Sequence, residues 1–539
     1  MRGLMMNRPL LISSLLEHGA AVYHEREIVS RTVEGPVHRY TLAEAHRRTR
    51  QLANALAALG VKAGDRIGTI AWNGYRHFEL YFAVSGMGAV CHTMNPRLHP
   101  SQLVYVVNHA EDALLFVDLT FVPLVEAVAE HLKPVRGIVI MTDRAHMPQT
   151  KLANALCYED LVLAHSDVFS WPEFDEDTAS SLCYTSGTTG NPKGVLYSHR
   201  STVLHTLAIS LPDCLGLGER EAVLPVVPMF HVNAWGLPYA TTMTGAKLVF
   251  PGPRLDGASL TELLTDEAVT IAAGVPTVWI NLLQYWQQTG GAVPSLHTVV
   301  IGGSAAPRSM IEMFQEQYGI AVLHAWGMTE TSPLGSVSRL KPSLRDAGQD
   351  VRYRTQLKQG RPPFGIEMEI VDEQNRPVPR DGHAFGELKV RGPWVCSGYY
   401  RLDQSPAHAG DGWFATGDIA TIDADGYMQI TDRSKDVIKS GGEWISSIDL
   451  ENAAAGHPDV LQAAVIGVPH PKWSERPLLL VVPKPGTSPT KESVLEFLRG
   501  KVAEWWLPDD VVFEKELPIG ATGKVQKSKL RERYTASSG

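Results

Sequence analysis

The chain has 539 residues, too many for one hydrophobic core, since single cores stop growing at about 250 to 300 residues. Hydrophobic residues at 44% and charged residues at 20% exclude a disordered or fibrous chain. A net charge of −9, from 49 basic against 58 acidic residues, supplies no general field for a polyanion, so nucleic acid is not an expected partner.

In chain order, Arg2 and Arg8 precede the apolar run Leu10 to Leu16, an arrangement superficially like a secretion signal. Glu17 and His18 cut that run short, and a docked helix is expected instead. Apolar residues then recur at helical spacing from Thr41 to Leu59 (Leu42, Ala45, Leu52, Leu56, Leu59), with Gly60 as the stop. Asp65 to Ala71 reads as a strand and Glu79 to Val90 as a helix. Strands at Ala113 to Val117, Gly137 to Met141 and Ala246 to Phe250 alternate with helices at Val122 to Leu132 and Leu260 to Glu267. Such alternation predicts α/β layers in which parallel sheets are covered by helices.

After Gly365 the texture changes to short, glycine-punctuated β runs: Glu367 to Val371, Gly386 to Arg391 and Tyr427 to Thr431. Beyond Asp432 a new α+β set begins, with helices at Ser447 to Ala455 and Lys491 to Ala503 and strands near Ala463 to Val468 and Leu478 to Val482. The expected architecture is a large amino-terminal domain over 1–431, with a β-rich subdomain at about 365–431, and a small mobile domain over 432–539. The five cysteines, Cys91, Cys157, Cys183, Cys214 and Cys396, are odd in number and scattered, which fits core thiols in a reducing compartment. No run reaches the roughly 18 uninterrupted apolar residues of a membrane span, and the cytoplasm is the expected location.

The strongest local signal is Tyr184-Thr185-Ser186-Gly187-Thr188-Thr189-Gly190-Asn191-Pro192-Lys193-Gly194, with three glycines and four aliphatic hydroxyls in eleven residues. Backbone N–H groups, hydroxyls and Lys193 make it a phosphate loop by composition. Pro192 before the lysine departs from the common mononucleotide loop, where lysine and Ser/Thr close the motif ahead of a helix.

With the segments that follow it in order, the chain resembles the adenylate-forming superfamily: acyl-CoA synthetases, firefly-luciferase-like enzymes and peptide-synthetase adenylation domains. Those segments are Pro228 to Trp235, Gly302-Gly303-Ser304-Ala305, Trp326-Gly327-Met328-Thr329-Glu330, Thr416-Gly417-Asp418, Asp432-Arg433-Ser434-Lys435-Asp436, Ser440-Gly441-Gly442-Glu443 and Gly523-Lys524. Within the superfamily the resemblance is greatest to medium- and long-chain acyl-CoA synthetases and 3-methylmercaptopropionate-CoA ligases. It implies an ATP-dependent ligase that joins a carboxylic acid to coenzyme A through an acyl-adenylate, releasing pyrophosphate and AMP. A long-chain synthetase and a luciferase-like oxidative enzyme are the alternatives.

The resemblance also implies roles. Lys524 is the catalytic cation for two anions brought together, and Glu330 with the Thr185 hydroxyl holds Mg2+. Ser186, Gly187, Thr188, Thr189 and Lys193 cradle phosphate. Gly303, Ser304 and Ala305 run along the adenine, and Trp326, where the family usually has tyrosine, stacks on it, followed by Gly327, Met328 and Thr329. Asp418 accepts the ribose hydroxyls and Arg433 bonds the same sugar. His231, Val232, Trp235, Gly302 and Pro333 border the acyl group, with Trp235 placed like a gate. Lys435 is the pivot of a hinge at 432–436, and rotation brings Lys439, Gly441, Gly442, Glu443 and Trp444 toward the thiol. Only His231 is ionisable between Met229 and Trp235, so a neutral acyl group is expected. Short or medium fatty acids and 3-methylmercaptopropionate fit, and a homodimer through Met1 to Leu16 is implied.

Overall fold

The computed structural model describes every residue except 2, 186–190, 409, 434–435, 441–442, 520–524 and 536–539, and for 443, 444 and 535 the backbone alone. The predicted alternation takes the form of two large sheets. A 7-stranded sheet runs Leu156–Cys157, Gly137–Ile140, Asp112–Val117, Arg66–Ile70, Val90–Thr93, Ala179–Tyr184, Gly194–Ser198. All of its neighbours are parallel except the last pair. An 8-stranded sheet has Thr298–Ile301, Ile271–Gly274, Ala222–Pro225 and Lys247–Phe250 in its parallel interior and antiparallel pairs at both ends. Strands covered on both faces read as continuous apolar runs, as Thr298–Ile301 does.

The helix Tyr75–Gly86 is buried at all of its 12 positions. Its Phe78 meets Phe250 of the second sheet at 6.3 Å between ring centroids. The sequence places a helix at Glu79 to Val90; it starts four residues earlier and gives way to the strand Val90–Thr93. A helix buried on every side carries no amphipathic period to mark its ends. By contrast Leu42–Ala58, which has one apolar face and a Thr41/Glu44 capping box, lies where its spacing puts it.

Four antiparallel strands follow, Glu367–Val371, Phe385–Arg391, Phe414–Ile422 and Met428–Arg433. The last sheet pairs Ile438–Ser440, Glu443–Ile445, Ser474–Pro483 and Val460–His470, with Asp510–Phe513 parallel to Ser474–Pro483. The two have separate cores, Met368, Leu388, Val390 and Trp394 in one and Ile438, Leu450, Val465 and Leu479 in the other. The change of sheet falls between Arg433 and Ile438. There the buried Asp432 carboxylate accepts the Ser447 N–H at 2.7 Å, and Arg531 pairs with Asp436 at 2.6 Å. The helix expected to reach Ala503 stops at Leu498, because Gly500 turns the chain with φ +71°.

Helix Ile12–Val22 docks through Ile12, Leu15 and Leu16, and the Ile12 N–H donates to His199 Nδ1 at 3.1 Å. All five cysteines are free. Among the described residues no helix is long and apolar enough to cross a membrane.

Candidate active site

A cavity of about 1020 Å³ lies where the large sheets, the antiparallel sheet and the last helix meet. Thr185 and Lys193, at the two ends of the glycine- and hydroxyl-rich loop, line it, and the Thr185 N–H donates to the Lys193 carbonyl at 2.9 Å. Across from them lies Gly327 to Glu330. A Cβ at Gly327 would sit 1.9 Å from the Pro333 carbonyl oxygen, so only glycine lets these backbones approach. The Tyr197 hydroxyl donates to the Thr329 carbonyl at 2.6 Å and the Cys396 N–H to the Glu330 carbonyl at 2.8 Å, which fixes the segment.

The Glu330 side chain is buried, and the Tyr399 hydroxyl donates to its Oε1 at 2.7 Å. Burial, with the Glu330 charge beside it, pushes the Tyr399 pKa up, so the phenol keeps its proton. The Lys193 ammonium stands 4.9 Å from the centroid of the same ring. Tyr399 thus joins the loop cation to the buried carboxylate, a link that sequence reasoning missed; its only signal was a Gly-Tyr-Tyr run after Trp394. Burial pushes the Cys396 thiol up to about 12, which leaves it without thiolate character.

On the adjoining wall, Gly303, Trp326 and Arg433 face the cavity. Asp418 lies behind them, with Trp326 Nε1–H on Oδ2 at 3.0 Å and Arg433 Nε on Oδ1 at 2.8 Å. Ser304 and Ala305 follow Gly303 as exposed and half-buried residues outside the lining. The tryptophan that stands where the family usually has tyrosine thus carries a hydrogen bond of its own, from the indole N–H to Asp418.

His231, Val232, Trp235, Gly302 and Pro333 line the same cavity, as do Trp72, Phe230 and Val227. Asn73, reaching from the other sheet, sets the entry to this segment. Its amide donates to the Pro225 and Val227 carbonyls at 2.8 Å each and accepts the Met229 N–H at 2.7 Å. From Val232 to Gly236 the backbone is left-handed, with φ of 47°, 52°, 51°, 57° and 76°. Each L-residue there costs roughly 1–2 kcal/mol, and a β-branched valine is a genuine outlier. Asn233 offsets part of this cost, because its buried amide donates to Ser181 Oγ at 2.9 Å and accepts from Cys183 Sγ at 3.6 Å. The turn lays the Trp235 indole on Gly302, where a Cβ would come within 2.9 Å of Cη2. Asn233→Ala, which removes both contacts from a buried strained turn, is expected to lower unfolding stability by about 1–3 kcal/mol in denaturant titration.

Lys439 is exposed, 3.7 Å from Glu373, and outside the lining. Ser186, Gly187, Thr188, Thr189, Lys435, Gly441, Gly442 and Lys524 lie outside the described residues, as do the side chains of Glu443 and Trp444. From the last domain Val525, Gln526 and Lys527 reach the cavity wall.

Residues 16–400 match the model of AMP-binding enzymes, and residues 449–524 that of the AMP-binding enzyme C-terminal domain. The chain is 52% identical over 535 residues to a 3-methylmercaptopropionyl-CoA ligase of Ruegeria lacuscaerulensis, covering 99% of both. It is 50% identical to a medium-chain-fatty-acid–CoA ligase of Ectopseudomonas oleovorans, covering 99% of this chain and 98% of the other. Identity to a long-chain-fatty-acid–CoA ligase of Thermus thermophilus is also 50%, over 98% and 96%. The solved anthranilate CoA ligase AuaEII, in complex with anthranoyl-AMP, superposes with TM-score 0.87 at 25% identity, over 99% of each chain. The chain belongs to the AMP-binding enzyme family. Within that family it is an AMP-forming acyl-CoA synthetase, an acid–thiol ligase that uses ATP and coenzyme A.

Proposed function

We propose that the acid this ligase activates is a small, uncharged one, a short or medium-chain fatty acid or the thioether 3-methylmercaptopropionate. The observation that carries this reading is the apolar share of the cavity lining, Trp72, Val227, Phe230, Val232 and Trp235 beside His231, with no carboxylate in the segment from Val226 to Trp235. Burying methylenes or a thioether there is favourable and burying an ammonium is not. The names of the similar ligases support the same range of acids.

In this reading the acid's carboxylate attacks the α-phosphate of ATP and pyrophosphate leaves. Coenzyme A thiol then displaces AMP from the adenylate. Two anions must meet in the first step, so cations at the phosphates matter most there. Lys193 and Lys524, with the hydroxyls and amides of the loop from Thr185 to Thr189, take the phosphates. The walls at Gly303 to Ala305 and Trp326 to Thr329 take the adenine, and Asp418 and Arg433 take the ribose.

Glu330 fits Mg2+ as a ligand. It is a buried carboxylate that forms no ion pair among the described residues, a costly state unless a cation arrives. With the Thr185 hydroxyl it offers hard oxygen, and a bound ion would neutralise charge on the phosphates. The thiol step then uses rotation of residues 432–539 against 1–431 about Lys435, bringing the segment from Lys439 to Trp444 to the cavity. Support for a break there is the change of sheet and core between Arg433 and Ile438.

The exposed Leu4, Met5 and Met6 support a homodimer through the amino-terminal segment, and the five free cysteines support a reducing, cytoplasmic setting. The test is a panel of carboxylic acids assayed for pyrophosphate release with and without coenzyme A. Preference for butyrate, hexanoate or 3-methylmercaptopropionate is expected, and a preference for amino or dicarboxylic acids would refute it.

A further inference from the structure

Asp418 is 2% exposed, and each of its carboxylate oxygens is covered by a different donor, Trp326 on one and Arg433 on the other. The two covers differ in kind. Trp326 is embedded in the apolar layer of Ile366, Met368 and Trp394. A Cβ on Gly335 would lie 2.2 Å from the indole's Cζ3, so the missing side chain there sets the depth of the ring. Arg433 ends the strand Met428–Arg433 at the change of sheet, and its side chain is 40% exposed. One donor is part of the core, and the other belongs to the junction between domains.

The backbone of Asp418 is also fixed. Its N–H donates to Thr416 Oγ1 at 3.1 Å, and that hydroxyl donates to the Leu388 carbonyl at 2.8 Å. What remains is rotation of the carboxylate about its side-chain bonds, which the indole N–H restrains from the core side and Arg433 from the junction. A carboxylate has about four lone-pair sites, so with one taken by Trp326 and one by Arg433 about two remain for two sugar hydroxyls.

We propose that Trp326 is a positioning residue for ribose selection: its N–H turns the Asp418 carboxylate so that the free lone pairs meet the two hydroxyls of the ATP ribose. This rests on the reading of Asp418 as the ribose acceptor. Stacking on adenine needs only a flat ring, which phenylalanine also provides; the N–H is what indole adds at this position.

The experiment compares kcat/KM for ATP, 2′-deoxyATP and 3′-deoxyATP in the wild type, Trp326→Phe and Asp418→Asn, read as pyrophosphate release with saturating acid. Trp326→Phe is expected to shrink the preference for ATP over each deoxy analogue by about tenfold, the order of one hydrogen bond to a charged group, mainly through KM. An equal fall for all three nucleotides would overturn the inference and leave Trp326 an adenine or core residue. Asp418→Asn separates the two levels. If it leaves the preference intact, the ribose reading fails and takes this inference with it. If it removes the preference while Trp326→Phe keeps it, this inference alone fails. Thermal melting checks folding. Should Trp326→Phe not fold, Gly335→Ala, which displaces the indole without removing it, is judged by the same ratios.

Discussion

Replacing Lys524 with alanine is expected to slow acyl-adenylate formation several hundred-fold while slowing thioester formation from preformed adenylate far less. The first half-reaction drives a carboxylate onto a phosphate, and charge builds on the departing pyrophosphate. A well-placed donor for that charge is worth about 2.7–4 kcal/mol. The second half-reaction joins a thiol to a neutral acyl carbon and releases AMP, so it needs that cation less. Lys527 and Arg531, cations of the helix Lys527–Thr535 that line the cavity, are engaged elsewhere. Lys527 is held by Glu451 at 2.7 Å and by Ser447, and Arg531 is held by Asp436 at 2.6 Å. Glu451 and Asp432 keep Lys527 charged against the effect of its burial, which ties it to the junction of the domains. Single-turnover assays of each half-reaction check the result. Equal loss in both would make Lys524 a residue that holds the domain in place.

The sequence made legible those parts of the fold and site in which one residue type answers one physical demand. The loop from Tyr184 to Gly194 stood out by its dense glycines and hydroxyls, whereas Gly327 came only with the resemblance, and the structure adds the reason that no Cβ fits under the Pro333 carbonyl. Leu42–Ala58 was readable because one of its faces is wet. The helix Tyr75–Gly86 was misplaced because both sheets cover it and no polar face marks its period. Asn73 and Tyr399 were missed for another reason. Each acts by hydrogen bonds to segments more than 60 residues distant in sequence, and an asparagine or tyrosine in a loop carries no local pattern that says so. The left-handed turn was hidden in the same way, with Gly236 as its only trace, because Asn233 within it is secured by Ser181 on a distant strand.

Trp235→Ala is expected to reorder the acids used while leaving ATP affinity nearly unchanged. The indole is carried on a strained turn that cannot relax without breaking the Asn233 contacts, so its position is set by the protein and not by the ligand. It lies on Gly302, with Gly303, the start of the proposed nucleotide wall, next in the chain, and Trp72 and Phe230 line the same cavity. Removing it opens space on the apolar side without touching Thr185, Lys193 or Asp418. Each further buried methylene is worth about 0.8 kcal/mol, so two that newly fit should raise relative specificity roughly tenfold. Octanoate should therefore gain on butyrate by about that factor, and 3-methylmercaptopropionate should lose rank because a thioether of its length no longer fills the cavity. Specificity constants for propionate, butyrate, hexanoate, octanoate and 3-methylmercaptopropionate, measured beside ATP binding by titration, decide the matter. A uniform fall across all five acids would mean that the indole supports the turn instead of bounding the acyl group, and a matching loss of ATP affinity would place its influence on the Gly302–Gly303 wall.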